Sequence, residues 1–255
     1  GYHPLMRILR RLTAIVAFAV AATVVAHPTP NAHAAPGAER GTLLIVPGQS
    51  FGALPYTPMA DALRADGYRV RVLDLQGTRL RSDARAIGRA VDAEKKTRPT
   101  TPVSLVGHSV GGVTTRYYVK KLGGTSKVTN VIAIGTPEYG SPGACNQPGT
   151  DGQLCPGSAF LRDLNAGDDT PGPTKYYRIR SAYEWVTGDL DGGQCRVTPL
   201  RAFVAPTGYT EHTAEAVNPD VFRAVSRAAA GHCDGEFVDQ PDGQLTAKNS
   251  LRPQR

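Results

Sequence analysis

Thr101-Pro102-Val103-Ser104-Leu105-Val106-Gly107-His108-Ser109-Val110-Gly111-Gly112 is the stretch on which the reading of the fold turns. It reads as an apolar strand, a sharp turn with Ser109 at its apex, and a helix that starts at Val110 and runs through Thr114, Arg116, Tyr117 and Tyr118 to Leu122. Residues 107–111 match Gly-x-Ser-x-Gly, the pattern of a nucleophile elbow. The pattern has a steric reason. The apex serine takes a strained backbone conformation, and side chains at the flanking positions would collide with the neighbouring strand and helix. The turn lifts the hydroxyl clear of the sheet, and the helix N-terminus beneath it favours negative charge there.

Around this centre, strands and helices alternate. Upstream, Thr42-Leu43-Leu44-Ile45-Val46 is a continuous apolar run closed by Pro47-Gly48, as expected of a strand covered on both faces. Thr57-Pro58 opens a helix that ends near Asp66-Gly67, with Thr57 expected as its N-cap. Residues 68–73 form a second strand, and a helix runs from Ser82 to about Lys96. Downstream, residues 128–134 read as a strand closed by Gly135-Thr136-Pro137. Residues 138–174 are dense in Gly, Pro and Asp and read mostly as loop, with one short helix at 158–164. Strands are expected at 175–180 and 200–204, the last helix at 219–230, and a polar tail beyond Asp239. The alternation predicts an α/β domain with a mainly parallel sheet and helices on both faces. In such sheets the chemistry lies just past the carboxyl ends of the strands.

Composition bounds the rest. Met6-Arg7-Ile8-Leu9-Arg10-Arg11 is basic, residues 12–26 are apolar, and Ala32-His33-Ala34 offers a small-x-small cleavage site. The apolar run falls short of the ~20 residues a bilayer span needs. Residues 1–34 therefore read as upstream residues plus a removed secretory signal peptide, 35–240 as a single domain, and 241–255 as the tail. Loss of Arg7, Arg10 and Arg11, with no acid among residues 1–34, takes the formal charge from +7 to +4. No basic run with interleaved aromatics is present, which argues against a nucleic-acid partner. Cys145, Cys155, Cys195 and Cys233 form an even set, as in an exported chain with two disulfides. Three connectivities are possible; Cys145–Cys155 and Cys195–Cys233 is the favoured one. A zinc site is disfavoured because no Cys-x-x-Cys spacing occurs.

A serine nucleophile needs a base, and the base needs an acid to orient it. Beyond the signal segment the histidines are His108, His212 and His232. His108 adjoins Ser109 and is read as packing and hydrogen bonding. His232 sits beside Cys233. His212 falls between the last predicted strand and the last helix, where a loop would swing it over the sheet end, and it is the favoured base. The acid should follow the penultimate strand. Glu184 lies nearest that strand end, with Tyr183 and Trp185 placed to shield it. Asp189 is the main alternative, and Asp189 and Asp191 read as turn caps in a Gly-rich segment. The backbone N–H of Val110 and that of Gln49, beside the permissive Gly48, are the expected oxyanion hole.

The series Leu44-Ile45-Val46-Pro47-Gly48, Val106 through Gly112, Arg116-Tyr117-Tyr118, Val131-Ile132-Ala133-Ile134-Gly135-Thr136-Pro137 and Pro156-Gly157-Ser158-Ala159-Phe160-Leu161 resembles the secreted bacterial lipases of the class 2 lipase family, in the α/β-hydrolase superfamily. The resemblance covers roughly residues 43–230. It implies an α/β-hydrolase fold, Ser109 as nucleophile, His212 as base, and Gln49 and Val110 at the oxyanion hole. The family's acid is usually an aspartate where this chain has Glu184, and the longer side chain would need a retreated backbone. The family's frequent His-Gly is Pro47-Gly48 here. The expected function is hydrolysis of carboxylic esters, as a secreted lipase or esterase, through an acyl-enzyme, without cofactor or metal. The expected protein is a compact monomer without a large lid, contacting lipid interfaces transiently. Acyl transfer by the same triad, a non-catalytic binding role on the same scaffold, and peptidase activity are the alternatives.

Overall fold

The structure, a computed structural model, describes residues 39–181, 184, 189–197 and 208–240. Its centre is a sheet of seven strands: β1 (Thr42–Val46), β2 (Arg69–Val72), β3 (Val103–His108), β4 (Asn130–Ile134), β5 (Lys175–Ile179), β6 (Gln194–Val197) and β7 (Gly235–Val238). Their order is β2-β1-β3-β4-β5-β6-β7, parallel except for the antiparallel pair β6–β7. The helices are α1 (Thr57–Ala65), α2 (Leu80–Thr97), α3 (Val110–Lys121), α4 (Ala159–Asn165), α5 (Gly208–Ala214) and α6 (Pro219–Ala229).

The apolar runs divide between two cores because successive strand side chains point to opposite faces. Leu44, Val46, Val103, Leu105 and Val131 face α2, α3 and α4. Leu43, Ile45, Val106, Ile132 and Ile134 face α1 and α6. α2 buries Leu80, Ala84, Ile87 and Val91, one stripe of a 3.6-residue helix. Each fully buried side chain such as Ile87 contributes about 1.5–3 kcal/mol. α6 buries Val221, Phe222, Val225 and Ala228; the Asn218 side chain caps it, accepting from the Asp220 N–H at 2.8 Å, and Pro219 fits its first turn.

Register sets where the chemistry stands. Val46 pairs with Gly107, His108 with Ile134, and Ile134 with Ile179, so β1, β3, β4 and β5 end at one level. Gly48, Ser109, Gly135 and Ser181 all follow those ends. The 158–164 helix is α4, capped by Ser158, which accepts from the Leu161 N–H at 3.2 Å. α3 holds the segment after β4 through buried Arg116, whose Nε donates to Glu138 Oε2 at 2.7 Å and whose Nη2 donates to the Asn165 side chain.

Several expectations are corrected. α1 begins at Thr57 with Tyr56 at the cap, and Thr57 Oγ1 donates backward to the Leu54 carbonyl at 2.9 Å rather than capping α1. The last strand is β7, which follows the last helix. Its partner β6 is a further strand, short and partly polar, in a stretch expected to be loop. The strand expected at 200–204, the shielding residues Tyr183 and Trp185, the signal segment and the 241–255 tail lie outside the described residues. Cys145 is bonded to Cys155 and Cys195 to Cys233. No helix of the described residues is long and apolar enough to cross a membrane.

Candidate active site

Ser109 sits between β3 and α3 with φ 54° and ψ −128°, a conformation that L-residues rarely adopt. The surrounding backbone enforces it. A Cβ on Gly107 would lie 2.5 Å from the Gly112 Cα, and one on Gly111 would strike the carbonyl oxygens of Val46 and Pro47. The Ser109 N–H is held by the Ile134 carbonyl at 2.8 Å. The hydroxyl is thereby fixed at the start of α3.

Three segments converge on it. His212 Nε2 is 2.9 Å from Ser109 Oγ, and His212 Nδ1 is 2.6 Å from Glu184 Oε2. A carboxylate only accepts, so Nδ1 carries the hydrogen and Nε2 is left to accept from the serine hydroxyl. Glu184 is fully buried and His212 nearly so, which strengthens the hydrogen bond between them. His212 lies within α5 rather than on a loop, so its ring is carried by a helical turn. Asp189 is taken by a different partner: it forms a buried ion pair with Arg178 of β5, Oδ1 to Nε at 2.8 Å, and is not a turn cap. His232 is exposed on the turn after α6, its N–H bonded to the Arg227 carbonyl.

Gln49 and Val110 border the same cleft as Ser109 and His212. The cleft encloses about 430 Å³, and Phe51, Pro137, Ala144 and Leu154 give it an apolar wall. Part of that wall is the loop closed by the Cys145–Cys155 disulfide. Gln49 ties itself to that loop, its side-chain N–H donating to the Pro148 carbonyl at 3.0 Å. Gly48 packs closely against Ser109: a Cβ there would lie 3.2 Å from both His108 Nδ1 and Ser109 Cβ.

Two sets of residues escaped the sequence reading. The first is Tyr56. Its hydroxyl accepts from the Gly48 N–H at 2.8 Å and lies 2.6 Å from His108 Nδ1. His108 Nε2 in turn lies 3.0 Å from the His212 carbonyl. The tautomer follows: Tyr56 donates to Nδ1, and Nε2–H donates to the carbonyl. Complete burial, reinforced by the nearby His212, pushes the His108 pKa down to about 3, so the ring is neutral. This chain of bonds fastens both the loop before Gln49 and the backbone of His212 to the strand that carries Ser109. The second set is Gly135, Glu211 and Glu215. Gly135 has φ 50°, and a Cβ there would strike Glu215 Oε2 and lie 2.7 Å from Glu184 Oε2 and 3.1 Å from His212 Nδ1. Only glycine fits beneath the histidine–carboxylate pair. The sequence signal was Gly135 itself, read only as the end of β4.

His108, His212 and Glu215 present potential metal-ligand atoms within 4.8 Å of one another. All four ring nitrogens are committed to the bonds above, so the donor set fits a hydrogen-bonded array rather than an ion.

No known family's sequence profile matches the chain. Among solved structures it is similar to Aspergillus fumigatus lipase B, with a TM-score of 0.60 at 16% identity, over 88% of this chain and 60% of that one. It is also similar to Bacillus licheniformis lipase BlEst2 in its propeptide form, with a TM-score of 0.53 at 16% identity, over 84% and 54% of the two chains. The chain thus spans between half and two thirds of these proteins' lengths. At this identity the likeness is one of fold, and the fold is that of the α/β-hydrolases.

Proposed function

We propose that this protein is a serine hydrolase of carboxylic esters, an esterase or lipase acting outside the reducing cytoplasm. The observation that carries the reading is the unbroken line from Ser109 Oγ through His212 to Glu184, at 2.9 and 2.6 Å, with the serine held at positive φ above a helix N-terminus. Such an arrangement is what nucleophilic acyl transfer requires.

In this mechanism His212 Nε2 takes the hydroxyl proton as Ser109 Oγ bonds to the ester carbonyl carbon. The imidazolium is stabilised by the Glu184 charge at Nδ1. The carbonyl oxygen becomes an oxyanion held by the N–H groups of Val110 and Gln49, a contribution worth about 10²–10³ in rate per donor. His212 then gives its proton to the alcohol oxygen as the C–O bond breaks. Water, deprotonated by His212, attacks the acyl-enzyme and releases the acid. No other group is needed to balance either half. The fold shared with two lipases is compatible with this chemistry. The apolar wall formed by Phe51, Ala144 and Leu154 suits an acyl chain. Two disulfides suit an oxidising environment, and the basic, apolar and small-residue pattern of residues 1–34 supports secretion.

The test is hydrolysis of p-nitrophenyl esters of increasing chain length by wild type and S109A. Turnover that vanishes in S109A supports the reading, and the chain length at which wild type peaks assigns esterase or lipase. Undiminished turnover in S109A refutes it.

A further inference from the structure

Behind the His212–Glu184 pair lies a second carboxyl group that the mechanism above does not use. Glu215 is 1% exposed, in the 3-10 turn that follows α5. Its Oε1 accepts from the Ser181 N–H at 2.6 Å. Its Oε2 is buried, meets no hydrogen-bond donor among the described residues, and shares with Glu184 Oε2 the narrow space over Gly135. The other titratable groups facing it among the described residues are His108, whose Nε2 is 4.0 Å from Oε2, and Glu211 and His212 on α5. His108 is neutral and its Nε2–H is spent on the His212 carbonyl. Glu211 is itself an acid, taking the Ser181 hydroxyl as donor. No cation among these groups neutralises Glu215.

Two acceptor oxygens cannot bond to each other unless one is protonated, and two buried carboxylates in one pocket share a proton. The choice between them follows from their other partners. Glu184 already serves as acceptor, taking the His212 Nδ1–H at 2.6 Å. Glu215 receives only one neutral amide. We propose that Glu215 is a positioning residue held as the neutral acid, its Oε2–H donating to Glu184 and thereby fixing that carboxylate beneath the imidazole. The proton stays on Glu215 throughout turnover, and the single negative charge of the pair stays on Glu184, opposite the imidazolium. Burial, with the Glu184 charge beside it, moves Glu215 well above the usual carboxylate range, in the same sense. The inference deepens the serine-hydrolase reading and rests on it. It also accounts for a glutamate as the acid: the longer side chain of Glu184 is secured by a second carboxyl reaching in from the turn that directly follows the helix carrying His212.

The test compares wild type, E215Q and E215L. Gln keeps an N–H to donate to Glu184 and a carbonyl to accept from Ser181, but does not ionise. Leu keeps the volume and loses both. E215L is expected to lower kcat roughly 10- to 100-fold, the worth of one hydrogen bond to a charged group, with KM little changed. E215Q is expected to recover most of that loss and to hold its rate at alkaline pH, where ionisation of Glu215 makes wild type fall. Because E215L risks misfolding, E215Q decides: an alkaline limb identical to that of wild type overturns the proposal. An infrared difference spectrum of wild type against E215Q at neutral pH supplies a readout independent of turnover. A protonated carboxylic acid band present only in wild type supports the proposal, and its absence overturns it. Failure of Ser109-dependent hydrolysis, by contrast, is read in S109A and sinks the hydrolase reading, whichever way the band falls.

Discussion

The two ends of the sheet are built to different purposes. At the amino ends of β5 and β6 lies the larger cavity, about 670 Å³, lined by Lys175, Tyr177, Gly193, Phe237 and the Cys195–Cys233 disulfide. Phe237 stands 66% exposed beside it. At the carboxyl ends lies the smaller cleft, about 430 Å³, with a serine at positive φ, two neutral or pairing histidines and three buried glutamates around it. Volume favours the first and chemistry the second. A reactive site is marked by strain and by buried polar groups that only make sense together, and those gather where the strands end.

The largest effect should separate the ends outright. S109A is expected to reduce ester turnover on the order of 10⁴–10⁶-fold, as loss of a triad nucleophile does. K175A, at the other end, should leave kcat/KM within about 2-fold. An equal loss in both would erase the distinction.

A pair of glycines asks the same question sterically. G135A drives a methyl group into Glu215, Glu184 and His212, at a positive φ, and should cost at least 1–3 kcal/mol of stability and most of the activity. G193A meets Phe237 at 3.4 Å, an ordinary contact, and should shift stability by no more than about 0.5 kcal/mol. Thermal unfolding of both variants measures the contrast.

The disulfides divide likewise. Opening Cys195–Cys233, which closes a span of 38 residues, should cost about 4 kcal/mol by loop entropy, with kcat unchanged in the folded fraction. Opening Cys145–Cys155, with a span of 10, should cost about 3 kcal/mol and also raise KM, because that loop is a wall of the cleft. Denaturant unfolding and steady-state kinetics on the two double Cys→Ser variants check this.

The smallest effect concerns pH. His108 has its pKa depressed from 6.5 to about 3, so the unfolded chain binds its proton first and stability falls as pH drops below 6.5. Between pH 6.5 and 5 wild type should lose about 2 kcal/mol relative to H108Q. Glu215, raised instead, acts with the opposite sign, gaining relative stability as pH falls toward 4.5. Both proteins retain it, so their difference isolates His108.

What the sequence disclosed, and what it withheld, follows the same division between local and long-range causes. The elbow was legible because strand, glycines and serine are contiguous. The largely apolar β1, β3 and β4 were legible because burial on both faces leaves few polar positions. β6 and β7 were not: Gln194-Cys195-Arg196-Val197 and Gly235-Glu236-Phe237-Val238 carry little apolar signal, and they exist by long-range pairing, β6 with β5 and β7 with β6. α5 was mistaken for a loop because Gly208-Tyr209-Thr210-Glu211-His212-Thr213-Ala214 has no apolar stripe. Glu211 and Glu215 carried no mark in the sequence until the fold set them around Ser181. Tyr56 meant nothing without His108, 52 positions away.

The most direct test of the account is covalent labelling with a fluorophosphonate, followed by peptide mapping. The account predicts one adduct, on the peptide carrying Ser109, absent in S109A and formed far more slowly in H212A. Labelling that persists in S109A, or that proceeds at the wild-type rate in H212A, would contradict it.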